Sequence, residues 1–167
     1  MKRVFYIIGP ESSGTRMLAK AFIRSGVFGD SSHTQRMDFL NFAGYPDDIM
    51  FRNSIPHAHV MMPIAEITGI MEGFGYNVYH VLIDREDYYM ELSQVKRGHQ
   101  PSVESARESI ALARKHIASQ IDELRVHPAL VQYEQFVGNA AERRTLFESY
   151  SLPEPDMYFY NANETYK

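Results

Sequence analysis

Eight residues near the start of the chain, Gly9-Pro10-Glu11-Ser12-Ser13-Gly14-Thr15-Arg16, have the types and spacing of an anion-binding loop. Glycines five residues apart let the backbone curl so that successive N–H groups point at one spot. A helix opening at Gly14 adds its positive N-terminal end. Ser12, Ser13 and Thr15 contribute hydroxyl donors and Arg16 a fixed charge, which is equipment for phosphate or sulfate oxygens. A plain strand-to-helix turn with a serine cap would use the same residues, but position and composition together favour the anion site. Further along, Arg85 offers a bidentate fork for a phosphate. Ser93, two turns along the helix that follows, can close the other side.

These groups need a scaffold. Residues 4–8 are a β-branched and aromatic run ending at Gly9-Pro10, which reads as a buried strand stopped by a turn. Strands are likewise predicted over 49–52, 76–84 and 129–136. Helices are predicted over 14–25, 63–73, 86–96, 102–125 and 140–150, and 26–48 reads mostly as loop. The helix over 102–125 has the cleanest pattern: Val103, Ala106, Ile110, Ala113, Ile117, Ile121 and Leu124 recur at spacings of three and four. Strands alternating with helices predict an α/β fold, three layers α/β/α around a mostly parallel sheet. Residues 1–151 would form this domain and 152–167 a tail packed on its surface. Ligands of such sheets sit at the carboxyl ends of the strands, so 9–16 and 84–85 should share one edge.

Composition narrows the function. The chain has 167 residues, with 17 Lys and Arg against 21 Asp and Glu and no basic run, a poor match to general nucleic-acid binding. It has no cysteine, which excludes thiolate metal sites and Cys nucleophiles. No apolar stretch approaches the ~20 residues of a membrane span. The first residues run directly into a strand rather than a signal peptide, so a cytoplasmic protein with no membrane partner is expected. Tyr158-Phe159-Tyr160 offers rings for a partner or a second subunit, or simply for packing the tail.

The segment GPESSGTRML resembles the 5′-phosphosulfate loop of sulfotransferases that use 3′-phosphoadenosine 5′-phosphosulfate (PAPS) and release 3′-phosphoadenosine 5′-phosphate (PAP). Ser13, Gly14 and Thr15 match the family's Lys-Ser-Gly-Thr-Thr pattern, with Ser12 in place of its lysine and Arg16 in place of its last threonine. VLIDREDYYMELS is similar to the element whose Arg and Ser hold the 3′-phosphate of PAPS, giving those roles to Arg85 and Ser93. IMFRNSIPHAH resembles the acceptor-side Lys-Thr-His-x-Pro strand; aligned on Pro56 it puts Arg52 at the basic position and Ser54 at the His, with His57 and His59 just beyond. VQYEQF looks like the family's Tyr-Glu strand-helix element, whereas the late Lys-Gly loop has no match. The resemblance covers most of the chain and implies a short, P-loop-like sulfotransferase fold.

It also implies a chemistry. Sulfuryl transfer needs an acceptor hydroxyl, a base and positive charge on the departing oxygen, with the donor's phosphates fixing the sulfur for in-line attack. His57 is the expected base, since a histidine near its ordinary pKa of ~6.5 suits proton abstraction. His59 and His33, then Glu11 and Glu66, are the alternatives. Arg16 or Arg52 would supply the charge that the absent loop lysine gives in the family, acting electrostatically. His57 and His59 lack a third ligand at a recognised spacing, so no metal is expected. The acceptor would be a small molecule or carbohydrate, met by aromatic residues such as Phe39, Phe42, Tyr45 and Phe51. Two other readings stay open. One is a P-loop nucleotide or small-molecule kinase, with Asp84 on Mg²⁺. The other is a non-catalytic adenosine-phosphate-binding module.

Overall fold

The computed structural model of the chain describes residues 1–31, 45–56 and 59–166. In order along the chain they form β1 (Arg3–Pro10), α1 (Thr15–Arg24), β2 (Asp48–Ile55), α2 (Ile64–Gly73), β3 (Asn77–Asp84), α3 (Asp87–Lys96), α4 (Val103–Leu124), β4 (Ala129–Gln132), α5 (Tyr133–Gly138) and α6 (Ala140–Ser149). The strands make one sheet in the order β2-β1-β3-β4, all parallel. All four carboxyl ends therefore open on the same edge. The protein is α/β, with helices covering both faces of the sheet in three layers.

Strand β1 explains the layering. Its side chains alternate between faces, and both faces are buried. Phe5 and Ile7 pack with Leu18 and Phe22 of α1 and with Phe136 and Phe147 of α5 and α6. Val4, Tyr6 and Ile8 pack on the other side with Ile64, Ile67 and Met71 of α2 and with Ala113, Ile117 and Ile121 of α4. Fully burying a ring such as Phe22 is worth roughly 1.5–3 kcal/mol, so the central strand is held firmly from both sides. Helix α4 follows its apolar period; Ser102 and Ser105 form a reciprocal capping box, and Arg125 ends it in the left-handed region at φ 55°. None of the described helices is long and apolar enough to cross a membrane.

Two predicted elements differ. Strand β2 runs from Asp48 to Ile55, longer than 49–52, because its full length pairs with β1. The run 129–136 is not one strand: β4 ends at Gln132 and α5 begins at Tyr133. Tyr133, Phe136 and Val137 are buried at i, i+3 and i+4, a helical period hidden because all three are types that strands also favour.

His80 on β3 lies buried beside Tyr6, its register neighbour on β1, and shares a 2.9 Å hydrogen bond with the Thr68 hydroxyl. Burial pushes its pKa down to about 4. An unfolded histidine binds its proton near pH 6.5, before the folded one does. Stability is thus complete above pH ~6.5 and declines as pH falls toward 4, by about 3 kcal/mol in total. Urea unfolding of the wild type and His80→Gln at pH 7.5 and 4.5 should show this extra acid loss in the wild type alone. Parallel losses in the two proteins would contradict it.

Candidate functional site

The β1–α1 loop is shaped by two glycines. A Cβ on Gly9 would lie 2.3 Å from the Ile83 carbonyl oxygen and 2.4 Å from Ser13 Oγ. Gly14 sits at φ 103°, and a Cβ there would lie 2.6 Å from the Tyr133 ring. Ser12 is also left-handed, at φ 72°. The loop is tied down on either side. Glu11 N–H donates to Ile55 O of β2 (2.8 Å), Gln94 Nε2 of α3 donates to Glu11 O (2.9 Å), and His99 Nδ1 stands 3.1 Å from Glu11 Oε1.

What the loop presents is a set of unspent donors. No side chain caps α1, its first turn carries no acidic residue, and its first hydrogen bond runs from Leu18 N–H to Gly14 O. The amides of the first turn are therefore directed out of the helix end. Among the described residues, the hydroxyls of Ser12 and Ser13 are buried with no hydrogen-bond partner.

Arg52 reaches this point from β2. Its Nη1 donates to Thr15 Oγ1 (3.2 Å) and Ser54 Oγ (3.1 Å), and those two hydroxyls share a 2.6 Å hydrogen bond. The side chain is only 5% exposed, and its Nε is buried without a partner among the described residues. Burial first, and then the nearby charge of Arg16, lower its pKa; Asp30 opposes them. A buried cation beside a second cation and a positive helix end is costly unless an anion joins them.

Arg85 flanks the loop from the β3 side. Its Nη1 donates to Ser12 O at 3.1 Å, while Nε and Nη2 both donate to Asn163 Oδ1. Asn163 belongs to a 3₁₀ turn, Ala162–Tyr166, in the C-terminal segment. Its amide nitrogen donates to Glu134 Oε1 (3.0 Å). Tyr133, Tyr89 and Tyr166 stand 4.8, 5.6 and 5.8 Å from the guanidinium. Arg85 is 4% exposed, and burial lowers its pKa, with Tyr133, Tyr166 and Glu134 pulling the other way.

The structure thus gathers Ser12, Ser13, Gly14, Thr15 and Arg52 at one corner, with Arg85 behind the loop. Arg16 is exposed at the start of α1. Ser93 is buried in α3 and takes no part in the hydrogen bonds of Arg85. His57 and His33, like Phe39 and Phe42, lie outside the described residues. His59 is exposed, as is Glu66 on α2, and Glu11 is paired with His99. Both oxygens of Asp84 are engaged by Arg114 (2.9 and 3.1 Å), and one also accepts the Arg85 N–H (2.9 Å). Among the described residues no three His, Asp or Glu side chains are grouped to hold a metal ion.

Sequence reasoning passed over Ser54 and Asn163 as site residues. Ser54 had a signal, because two residues from Arg52 on one strand means the same face. Asn163 had none, being 78 residues from its partner. Compared with known proteins, the chain matches no protein-family model, no curated protein and no solved structure.

Proposed function

We propose that this protein is a sulfotransferase that moves the sulfuryl group of PAPS to a hydroxyl of a small molecule or sugar. The observation that carries the reading is the buried Arg52, its Nε without a partner among the described residues, beside the uncapped first turn of α1. In this reading Ser12, Ser13, Gly14, Thr15 and Arg16 hold the 5′-phosphosulfate, and Arg85 with Ser93 takes the 3′-phosphate. The acceptor oxygen attacks sulfur, the bond from sulfur to the bridging phosphate oxygen breaks, and the acceptor proton passes to a base, His57. Arg52 stabilises charge on the departing oxygen, and PAP leaves. The kinase reading is weakened because Asp84 is spent on Arg114. The non-catalytic reading draws support from Asn163, which covers Arg85.

The test supplies PAPS labelled on sulfur with a panel of phenols and neutral sugars, with and without chelator. Label should appear in an acceptor together with one equivalent of PAP, at the same rate in chelator. PAP binding with no transfer to any acceptor would favour the non-catalytic module. Phosphoryl transfer from ATP that is lost in chelator would favour the kinase.

A further inference from the structure

We propose that the C-terminal 3₁₀ turn is an internal ligand of Arg85, with the Asn163 amide oxygen occupying the guanidinium edge that a phosphate would take. An anion must lift residues 161–166 to reach that edge. The inference rests on the reading of Arg85 as a phosphate site.

One oxygen of Asn163 accepts from both Nε and Nη2, the geometry with which one oxygen of an anion meets the side edge of an arginine. The acceptor is neutral, however, and among the described residues no carboxylate lies within ion-pair distance of Arg85. Glu134 accepts from the Asn163 amide and acts on Arg85 through its charge at longer range. A phosphate, being charged, is the stronger partner for a buried cation. The turn is also built to move as a unit. Asn163 N–H bonds Asn161 Oδ1 (3.0 Å) and Thr165 Oγ1 bonds Ala162 O (2.8 Å), both within the segment.

Its outward contacts include Asn163 on Arg85 and Glu134, Ala162 N–H on Tyr133 Oη (2.9 Å) with the Ala162 side chain against the core, and the Tyr166 ring beside Arg85, Tyr89 and Lys96. The tail before it is anchored separately. Leu152 is buried, and Phe159 packs on the Phe136 ring with Arg143 above it. Glu134 would stay behind, since it also accepts from Glu86 N–H (3.3 Å) and Gln132 Nε2 (2.9 Å).

The test uses the full chain and PAP as the probe, reading hydrogen exchange of residues 160–166 and affinity by calorimetry. PAP should speed exchange in that segment about tenfold, and Asn163→Ala should bind PAP about tenfold more tightly than the wild type. Tyr166→Ala, which removes no hydrogen bond from Arg85, should shift affinity in the same direction by about threefold. Unchanged or slower exchange with PAP bound, and weaker binding by Asn163→Ala, would overturn the internal-ligand proposal while leaving the nucleotide reading standing. Failure of PAP to bind the wild type and both variants would overturn both.

Discussion

Arg52→Met is expected to lose anion binding while leaving the unliganded protein as stable as the wild type, or more so. The methionine keeps much of the buried stem of the side chain and removes the charge. In the free protein burial and Arg16 both disfavour that charge, and Asp30 offsets them in part. Thr15 and Ser54 keep their mutual 2.6 Å hydrogen bond when the guanidinium goes. Removing a buried charge that is only partly offset should therefore leave stability unchanged or raise it by up to about 1 kcal/mol. Binding moves the other way. Charge-assisted hydrogen bonds contribute about 1.5–3 kcal/mol, so affinity for pyrophosphate or PAP should fall roughly 10- to 100-fold. Thermal unfolding and calorimetry on the two proteins read both signs. A variant that unfolds earlier yet binds as before would make Arg52 a structural residue and leave the site without its main charge.

Gly14→Ala should destabilise the protein by about 3 kcal/mol through two separable causes. The first is the backbone: a Cβ at φ 103° costs roughly 1 kcal/mol. The second is a collision, since that Cβ would stand 2.6 Å from the Tyr133 ring, which also packs on Arg85. Gly26 isolates the first cause. It has φ 91° and nothing within 4 Å of its would-be Cβ, so Gly26→Ala should cost only the backbone part. In a Tyr133→Ala background Gly14→Ala should likewise fall to about 1 kcal/mol, a coupling of about 2 kcal/mol by double-mutant cycle. Equal costs at Gly14 and Gly26 would remove the contact with Tyr133 from the account.

The parts of the fold that were legible in the sequence are those where local pattern and tertiary need agree. Residues 4–8 read as a buried strand because both faces of β1 are covered, and α4 read cleanly because one stripe of it packs on the sheet. The α5 helix was hidden because Tyr133, Phe136 and Val137 are types that strands also favour, and a run this short cannot settle its own period. The loop residues 12–15 were legible for a similar reason: glycines at fixed spacing report backbone conformation. Arg52 could be named but not oriented. Every residue of β2 from Ile49 to Ile55 is buried, so alternation does not say which face meets the loop. Asn163 could not be found at all, because a polar residue in a tail carries no periodicity and its partner is distant in sequence.

The central claim is that one nucleotide is held by its phosphosulfate end at Arg52 and its 3′-phosphate end at Arg85. Calorimetric titration with PAP and, in parallel, ADP tests it most directly, repeated on Arg85→Ala. The account predicts that PAP binds more tightly than ADP by about 10- to 100-fold, and that Arg85→Ala erases this preference while retaining weak binding of both. Equal affinities for PAP and ADP, a preference for ATP with Mg²⁺, or no binding of either nucleotide would contradict it.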